Sequence, residues 1–537
     1  MLPRPAMDLA KSSSFRRLVL AFLCVAATGA CVRKPERVTY PTAEEAREAC
    51  DEGDVVGCRK LGVRYERGDD VEPDPKRALS LYARACHEND QAACGHLGRL
   101  YLNGSGVARN TARALELLSG SCREEAFQGC GELATMYELG LGVRRDSQRA
   151  AHYHDLACQQ GEAHSCQRLG LMLARGAGLA QDLDRAMGLL VHACTTSERE
   201  CGGVARMYAR GEGVSRDPER AAAYWQRACQ AGSSSSCGSL GLRLLRGEGV
   251  PRDVARGVEL MQAACDAGYA YHCARLGLAY LRGEGVEVKA TRGVKLLSQG
   301  CAGGEARACV NLGLAYSRGI GVARDPGRAA ALHERGCRAG DPEGCAQAGL
   351  MFARGLGVEP AYSRAVALLR PACARGKPAA CAELGVLIAD GKGTSADARR
   401  GAELLATACE DGIAFACTRL GRAHDSGSGV DQNSKRAVDL YRLGCGGDDL
   451  ESCSRLGAHY LSGRGAVTDP QRAIELFQRA CDGGNALGCA ELGARYARGD
   501  AVQPDPERAA ELYRRACELD PTRSCDVPGT VDAPSPP

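Results

Sequence analysis

Cys86-His-Glu-Asn-Asp-Gln-Ala-Ala-Cys94 is one of a series of closely spaced cysteine pairs that returns every 36 residues along most of the chain. Fourteen pairs use 28 of the 30 cysteines. In the first half they are Cys50 with Cys58, Cys86 with Cys94, Cys122 with Cys130, Cys158 with Cys166, Cys194 with Cys201, Cys229 with Cys237 and Cys265 with Cys273. In the second they are Cys301 with Cys309, Cys337 with Cys345, Cys373 with Cys381, Cys409 with Cys417, Cys445 with Cys453, Cys481 with Cys489 and Cys517 with Cys525. Two residues eight apart in one continuous α-helix are separated by about 12 Å. Bonded cysteines need Cα atoms roughly 4.4–6.8 Å apart. If each pair is bonded, the chain must therefore reverse between its members. The intervening residues suit a reversal. Asp-Ala-Gly-Tyr-Ala-Tyr-His follows Cys265, Arg-Ala-Gly-Asp-Pro-Glu-Gly follows Cys337 and Asp-Gly-Gly-Asn-Ala-Leu-Gly follows Cys481, all rich in residues that end helices and turn chains. Each pair then staples the end of one helix to the start of the next.

Working outward, the unit from Cys237 to Cys265 supplies the helices. Leu240, Leu242, Leu244 and Leu245 are close to helical spacing, and the glycines of Gly247-Glu248-Gly249-Val250 stop that helix. A second apolar set, Val258, Leu260, Met261 and Ala264, follows Asp253. Two antiparallel helices per unit are expected. Length alone suggests three or four domains, but a fixed period points instead to repeats stacked into one quasi-linear body.

The second helix carries a strong start signal. Asp or Asn stands three residues before an arginine in eleven of thirteen units: Asp74, Asn110, Asp146, Asp182, Asp217, Asp253, Asp325, Asp397, Asn433, Asp469 and Asp505. Pro follows five of them, the N-cap and N1 arrangement of a helix beginning. Lys289 and Ala361 are the exceptions, and their helices are expected to start more weakly. The arginine recurs in all thirteen units, from Arg77 to Arg508. Its planar fork suits carbonyls or a carboxylate of a neighbouring helix, with a row of anion contacts as the functional alternative. Divergent positions are better candidates for specificity. One pair, Cys194 with Cys201, has only six intervening residues, which implies either a tighter turn with the same bridge or a local kink.

The amino terminus decides the chemistry of the pairs. Lys11, Arg16 and Arg17 precede an apolar run, Leu18 to Ala27, and Thr28-Gly29-Ala30 leads to Cys31. This has the form of an export signal. Small residues followed at once by cysteine resemble a bacterial lipobox, which implies that Cys31 becomes the lipid-modified first residue. Thr28 stands where that pattern prefers Leu, so cleavage near Ala30 without lipid is the alternative. Parity favours the lipid. Losing Cys24 with the signal and blocking Cys31 leaves the 28 paired cysteines with none over. In an exported chain such cysteines read as bridges. Metal sites are disfavoured: zinc takes four ligands at shorter spacings, and the histidines follow no period.

Composition narrows the partners. Residues 1–30 carry Arg4, Lys11, Arg16 and Arg17 against Asp8, so removing them from 69 basic and 66 acidic residues leaves 65 of each. A neutral mature chain carries no electrostatic footprint for nucleic acid. Residues 31–48 read as a lipid-anchored N-terminus and polar linker, 49–525 as the repeat body and 526–537, rich in proline, as a disordered tail.

Leu97-Gly98-Arg-Leu-Tyr101, Arg210 to Val214 (Arg-Gly-x-Gly-Val) and Asp217 to Ala221 (Asp-Pro-x-Arg-Ala) are similar to the Sel-one-like repeat, a relative of the tetratricopeptide repeat. The paired cysteines resemble the cysteine-rich exported Hcp type. The resemblance implies an all-α, right-handed α-solenoid (superhelix) of about 13 helix pairs with one disulfide per repeat. It implies an adaptor for a protein or peptide of the cell envelope, monomeric, without cofactor or metal, touching the membrane through its anchor alone. The alternative it implies is a β-lactamase or penicillin-binding hydrolase.

The residues give the hydrolase little support. No lysine has serine three positions before it, as a serine β-lactamase needs. His152-Tyr-His154-Asp155 is the one close histidine pair and reads as an exposed stretch of a second helix. Gly-x-Gly-Val reads as a helix stop, not a phosphate cradle, because no strand precedes it.

Overall fold

A computed structural model describes residues 40–123, 126–127 and 129–521. Cys31, Cys525, the export signal and the proline-rich tail lie outside them. The described residues form 27 α-helices, a short 3₁₀ helix and a two-residue antiparallel ladder of Cys122–Arg123 with Ala126–Phe127. Two compact units are present, one ending at Leu189 and the other beginning at Leu190. In each, helix pairs follow one another as an α-solenoid, each helix packing on its neighbours in sequence.

The start signals act as read. All eleven Asp and Asn side chains accept from the backbone N–H of the arginine three residues on, at 2.8–3.0 Å. Lys289 and Ala361 provide no side-chain cap. Caps inside the cysteine turns were not foreseen. Asp54, Asp90, Asp341, Asp449 and Asn485 start first helices in the same way.

The Gly-x-Gly step has two jobs. Gly247 adopts φ +68° and closes its helix, as left-handed C-caps do. Gly249 sits where an added Cβ would lie 2.1 Å from the Pro218 carbonyl oxygen, so it brings the loop down on the preceding unit's second helix. The same contact recurs at Gly106 with Pro75, Gly321 with Ala290 and Gly429 with Ala398.

The glycine of Leu-Gly works inside each pair. A Cβ on Gly62, Gly421 or Gly457 would strike the ring of Tyr82, Tyr441 or Phe477 on the facing second helix. At Gly277 the facing residue is Gly293, and its carbonyl oxygen would lie 2.9 Å from such a Cβ. A large residue fills the space in one repeat, and two backbones close it in another.

One expectation needs adjustment and one pair of alternatives is decided. The linker stops short of residue 48, because a helix spans Ala43–Asp51 with Thr42 as its cap. Ala43, Ala46 and Cys50 make its buried face, and Asp70 accepts from the Ala43 N–H at 2.8 Å. Between Cys194 and Cys201 the tighter turn is what forms. A 3₁₀ helix, Glu198–Cys201, leads into the shortened helix Gly202–Arg210, and the bridge is kept.

Candidate functional site

The bridges come first. Thirteen disulfides join near neighbours, with Cα–Cα distances of 4.3–5.0 Å. Cys50 is bonded to Cys58, Cys86 to Cys94, Cys122 to Cys130, Cys158 to Cys166, Cys194 to Cys201 and Cys229 to Cys237. Further along, Cys265 is bonded to Cys273, Cys301 to Cys309, Cys337 to Cys345, Cys373 to Cys381, Cys409 to Cys417, Cys445 to Cys453 and Cys481 to Cys489. The pair of Cys517 with Cys525 extends past the described residues. Each bridge lies at the chain reversal between one helix and the next first helix, as the eight-residue step requires. Cys130, Cys166, Cys345, Cys381, Cys417 and Cys453 are all buried, so these sulfurs belong to the packed interior of the turns. Among the described residues no cluster of His, Cys, Asp and Glu is arranged to hold a metal ion.

The recurring arginine meets the expected carboxylate of a neighbouring helix at Arg185 and Arg364, and in eight of the thirteen repeats it takes a further role that was not expected. There its guanidinium lies over the aromatic ring twelve residues earlier, on the first helix of its own repeat. The pairs are Arg77 on Tyr65, Arg149 on Tyr137, Arg220 on Tyr208, Arg292 on Tyr280, Arg328 on Tyr316, Arg364 on Phe352, Arg472 on Tyr460 and Arg508 on Tyr496, with centroid distances of 4.4–5.6 Å. Where the ring is replaced by Leu173, Leu244 or Ile388, the arginine pairs with Asp155, Glu259 or Glu403 instead. The Tyr of Leu-Gly-x-x-Tyr was the available signal, since its twelve-residue spacing from the arginine is visible in the sequence.

His152 and His154 separate. His152 is exposed, whereas His154 is fully buried, correcting the reading of that stretch as exposed throughout. His154 Nδ1 lies 3.1 Å from Ser165 Oγ, and Nε2 stands 3.5 Å from Glu138 Oε2. A serine, a histidine and a carboxylate in line invite a hydrolase reading. Burial refutes it here: Ser165 is fully enclosed and donates to Glu162 Oε2 at 3.0 Å, so a substrate has no approach. Burial keeps His154 neutral by pushing its pKa down. Burial would raise Glu138, but the His154 and Arg168 groups outweigh it and hold the carboxyl at about 2.

The same link occurs twice more. Tyr82 donates to Glu66 at 2.9 Å while Arg99 of the next repeat reaches Glu66 at 2.9 Å. Tyr441 donates to Asp425 Oδ2 at 2.7 Å while His459 of the next repeat meets that oxygen at 3.1 Å. In each case the acid stands eight residues after the first-helix cysteine and the polar ring sixteen residues further on. The arrangement ties one repeat to the next and has no catalytic geometry.

The candidate binding surface lies in the unit that begins at Leu190. An open cavity of about 440 Å³ spans the first helices Pro378–Ala389, Ala414–Ser426 and Leu450–Ser462. Val386, Ala389, Ala402 and Leu405 supply its apolar part, and Arg419, Arg422, Arg455 and Arg464 its basic part. Arg455 Nε reaches Glu451 at 2.7 Å, with Arg422 at 3.6 Å from the same oxygen. Arg419 rests on the Phe415 ring at 5.4 Å. Arg419 and Arg464 have no ion-pair partner among the described residues. Asp425 also lines the cavity, and its Oδ1 is buried without a donor. Arg419 and Arg455 occupy one position of the repeat, two past Cys417 and Cys453, where Glu383 stands two past Cys381 one repeat earlier. Such divergent positions are where specificity was expected.

Helix pairs stapled once per period define an α-solenoid repeat protein. The Sel1 repeat profile matches residues 55–90, 91–123, 128–162, 163–194, 201–233, 234–269, 272–305, 306–341, 342–377, 378–413, 414–449, 450–485 and 486–521, and the chain belongs to that family. No curated protein matches it. Among solved structures it is similar to a protective antigen of uropathogenic Escherichia coli strains displaying an SLR fold, at 24% identity over 88% of this chain and 97% of that one, TM-score 0.44. It is also similar to a Sel1 repeat protein from Oxalobacter formigenes, at 24% identity over 56% of this chain and 86% of that one, TM-score 0.45.

Proposed function

We propose that this chain is an exported, disulfide-stapled scaffold that holds a protein or peptide partner in the cell envelope. Sel1 repeats generally mediate protein interactions, and the finer reading adds compartment and rigidity. The observation that carries it is the bridge in every repeat, since such local disulfides persist in oxidising compartments. The export signal and lipobox-like step before Cys31 support the same reading, and lipid on Cys31 would hold the scaffold at the membrane. No helix among the described residues is long and apolar enough to cross a membrane.

Cell fractionation with non-reducing peptide mapping is the test, followed by crosslinking in cells. The expected result is a lipid-modified N-terminal peptide starting at Cys31, each cysteine linked to its pair-mate, and one recurrent envelope partner crosslinked. Free thiols in a cytoplasmic fraction would overturn the proposal.

A further inference from the structure

We infer that the cavity over repeats 378–413, 414–449 and 450–485 takes an acidic, extended peptide segment of the partner. This rests on the scaffold reading and specifies the chemistry of what the scaffold holds.

Three observations meet there. Four arginines line one side, and two of them, Arg419 and Arg464, have their charge unanswered by any carboxylate of the described residues. The acids of the lining are Asp390, which is paired with Lys392, and Asp425. Arg419 is also half-buried and seated on Phe415, so its fork is pre-positioned at little entropic cost. Planar forks of this kind bind carboxylates with two parallel hydrogen bonds.

Charge alone would suit phosphate equally. The third observation separates them. A free phosphate would leave the apolar part of the lining uncovered, whereas a peptide carries apolar side chains along with its carboxylates. The apolar stretch at Val386, Ala402 and Leu405 gives a side chain between the charged ones a place to bury. The span over three repeats suits an extended chain.

The test uses the oxidised full chain and a fluorescein-labelled Glu-rich peptide, read by anisotropy at two salt concentrations. Binding that weakens with salt is expected, because exposed charges are screened over about 10 Å at 0.1 M. The double variant Arg419→Glu/Arg464→Glu is expected to lose at least about tenfold in affinity, as reversing complementary charge does. A Lys-rich peptide of equal length is expected not to bind. Unchanged circular dichroism and disulfide maps show that the variant is folded. Undiminished binding by the folded double variant, or no binding by the parent, overturns the groove assignment. Displacement by inorganic phosphate at the same concentration as by glutamate peptide overturns the peptide and leaves a plain anion patch. If the double variant still captures the cellular crosslinked partner, the groove proposal fails while the scaffold reading stands.

Discussion

Arg364 lies over the ring of Phe352, 4.4 Å from guanidinium carbon to ring centroid. Its Nε and Nη atoms also reach the two oxygens of Glu334 in the preceding repeat, at 2.5 and 2.6 Å. One side chain therefore joins the two helices of its own repeat and the repeat before.

Lysine keeps the charge but loses both the stacked plane and the bidentate geometry. Arg364→Lys is expected to cost about 1 kcal/mol, from the cation–π contact and the fork together. Hydrogen exchange in Tyr362–Ala374 is the measurement, because unfolding of a repeat array has no single midpoint. Arg256→Lys is the comparison. Arg256 has Leu244 in place of the ring and an exposed Glu259 beside it, so its exchange is expected to change far less. Equal changes at both sites would show that the ring contributes nothing.

Much of the fold was legible in particular residues. Asp253 before Val254 announces a helix because a short acceptor there satisfies orphan N–H groups, a purely local effect. The cysteine spacing announces a reversal for a similarly local reason. What lay out of reach depends on the approach of one repeat to another. Gly249 reads as a helix stop, while its contact with Pro218 is set by stacking and leaves no mark within its own unit. His154 looks exposed when only its neighbours His152 and Asp155 are considered, and becomes buried once Ser165 of the next repeat covers it. The arginine–ring ladder was visible as a spacing, but carbonyl or carboxylate partners explained the same residue type. The basic cavity depends on Arg419, Arg422, Arg455 and Arg464 meeting across consecutive repeats, which no single unit reveals.

Glycines give a prediction of opposite signs. Gly277→Ala would place a methyl group 2.9 Å from the Gly293 carbonyl oxygen and 3.1 Å from the Leu297 side chain. Separating two packed helices to admit it is expected to cost about 1–3 kcal/mol. Gly188 lies inside the helix Leu183–Thr196 with nothing within 4 Å of an added Cβ. There Gly188→Ala is expected to stabilise by about 1 kcal/mol through helix propensity alone. Local exchange rates of the two helices read both effects, and a gain at Gly277 would refute the close-packing account.

The pH response follows from the buried histidines. His333 takes the position of Tyr82, His154 and Tyr441, but Ser317 stands where those have an acid, and the ring is 1% exposed with Nδ1 unpartnered. Burial lowers its pKa to about 4 against the weak opposing pull of Glu343. Above pH about 6.5 the ring is neutral in both folded and unfolded chains, so it adds no pH dependence. Below that the unfolded chain takes a proton that the folded one refuses, and stability falls until about pH 4, where the loss is complete. The slope is at most about 1.4 kcal/mol per pH unit. His333→Leu, which restores the residue found at Leu297 and Leu369, is expected to flatten that part of the acid loss around Pro326–Arg338. Exchange measured at pH 7 and 4.5 compares the two proteins. An unchanged acid slope in the variant would mean the ring is already solvated.

The bridges should act locally, and this separates a stapled array from a conventional disulfide-bonded core. Cys265 and Cys273 close a loop of eight residues with Cα atoms 4.8 Å apart. A loop this short removes about 2.5 kcal/mol of unfolded-state freedom in the chain-entropy description. The double change Cys265→Ser/Cys273→Ser is therefore expected to raise opening in Val254–Asp266 and Ala270–Arg282. Because each repeat contacts only its neighbours, exchange in the distant helix Pro470–Asp482 is expected to stay as it was. Replacing both cysteines avoids leaving a free thiol to attack the bridge between Cys301 and Cys309 one repeat away. Loosening that spreads evenly to Pro470–Asp482 would mean that the chain unfolds as one cooperative block, and the staples would then act on the whole rather than on the turn each one closes.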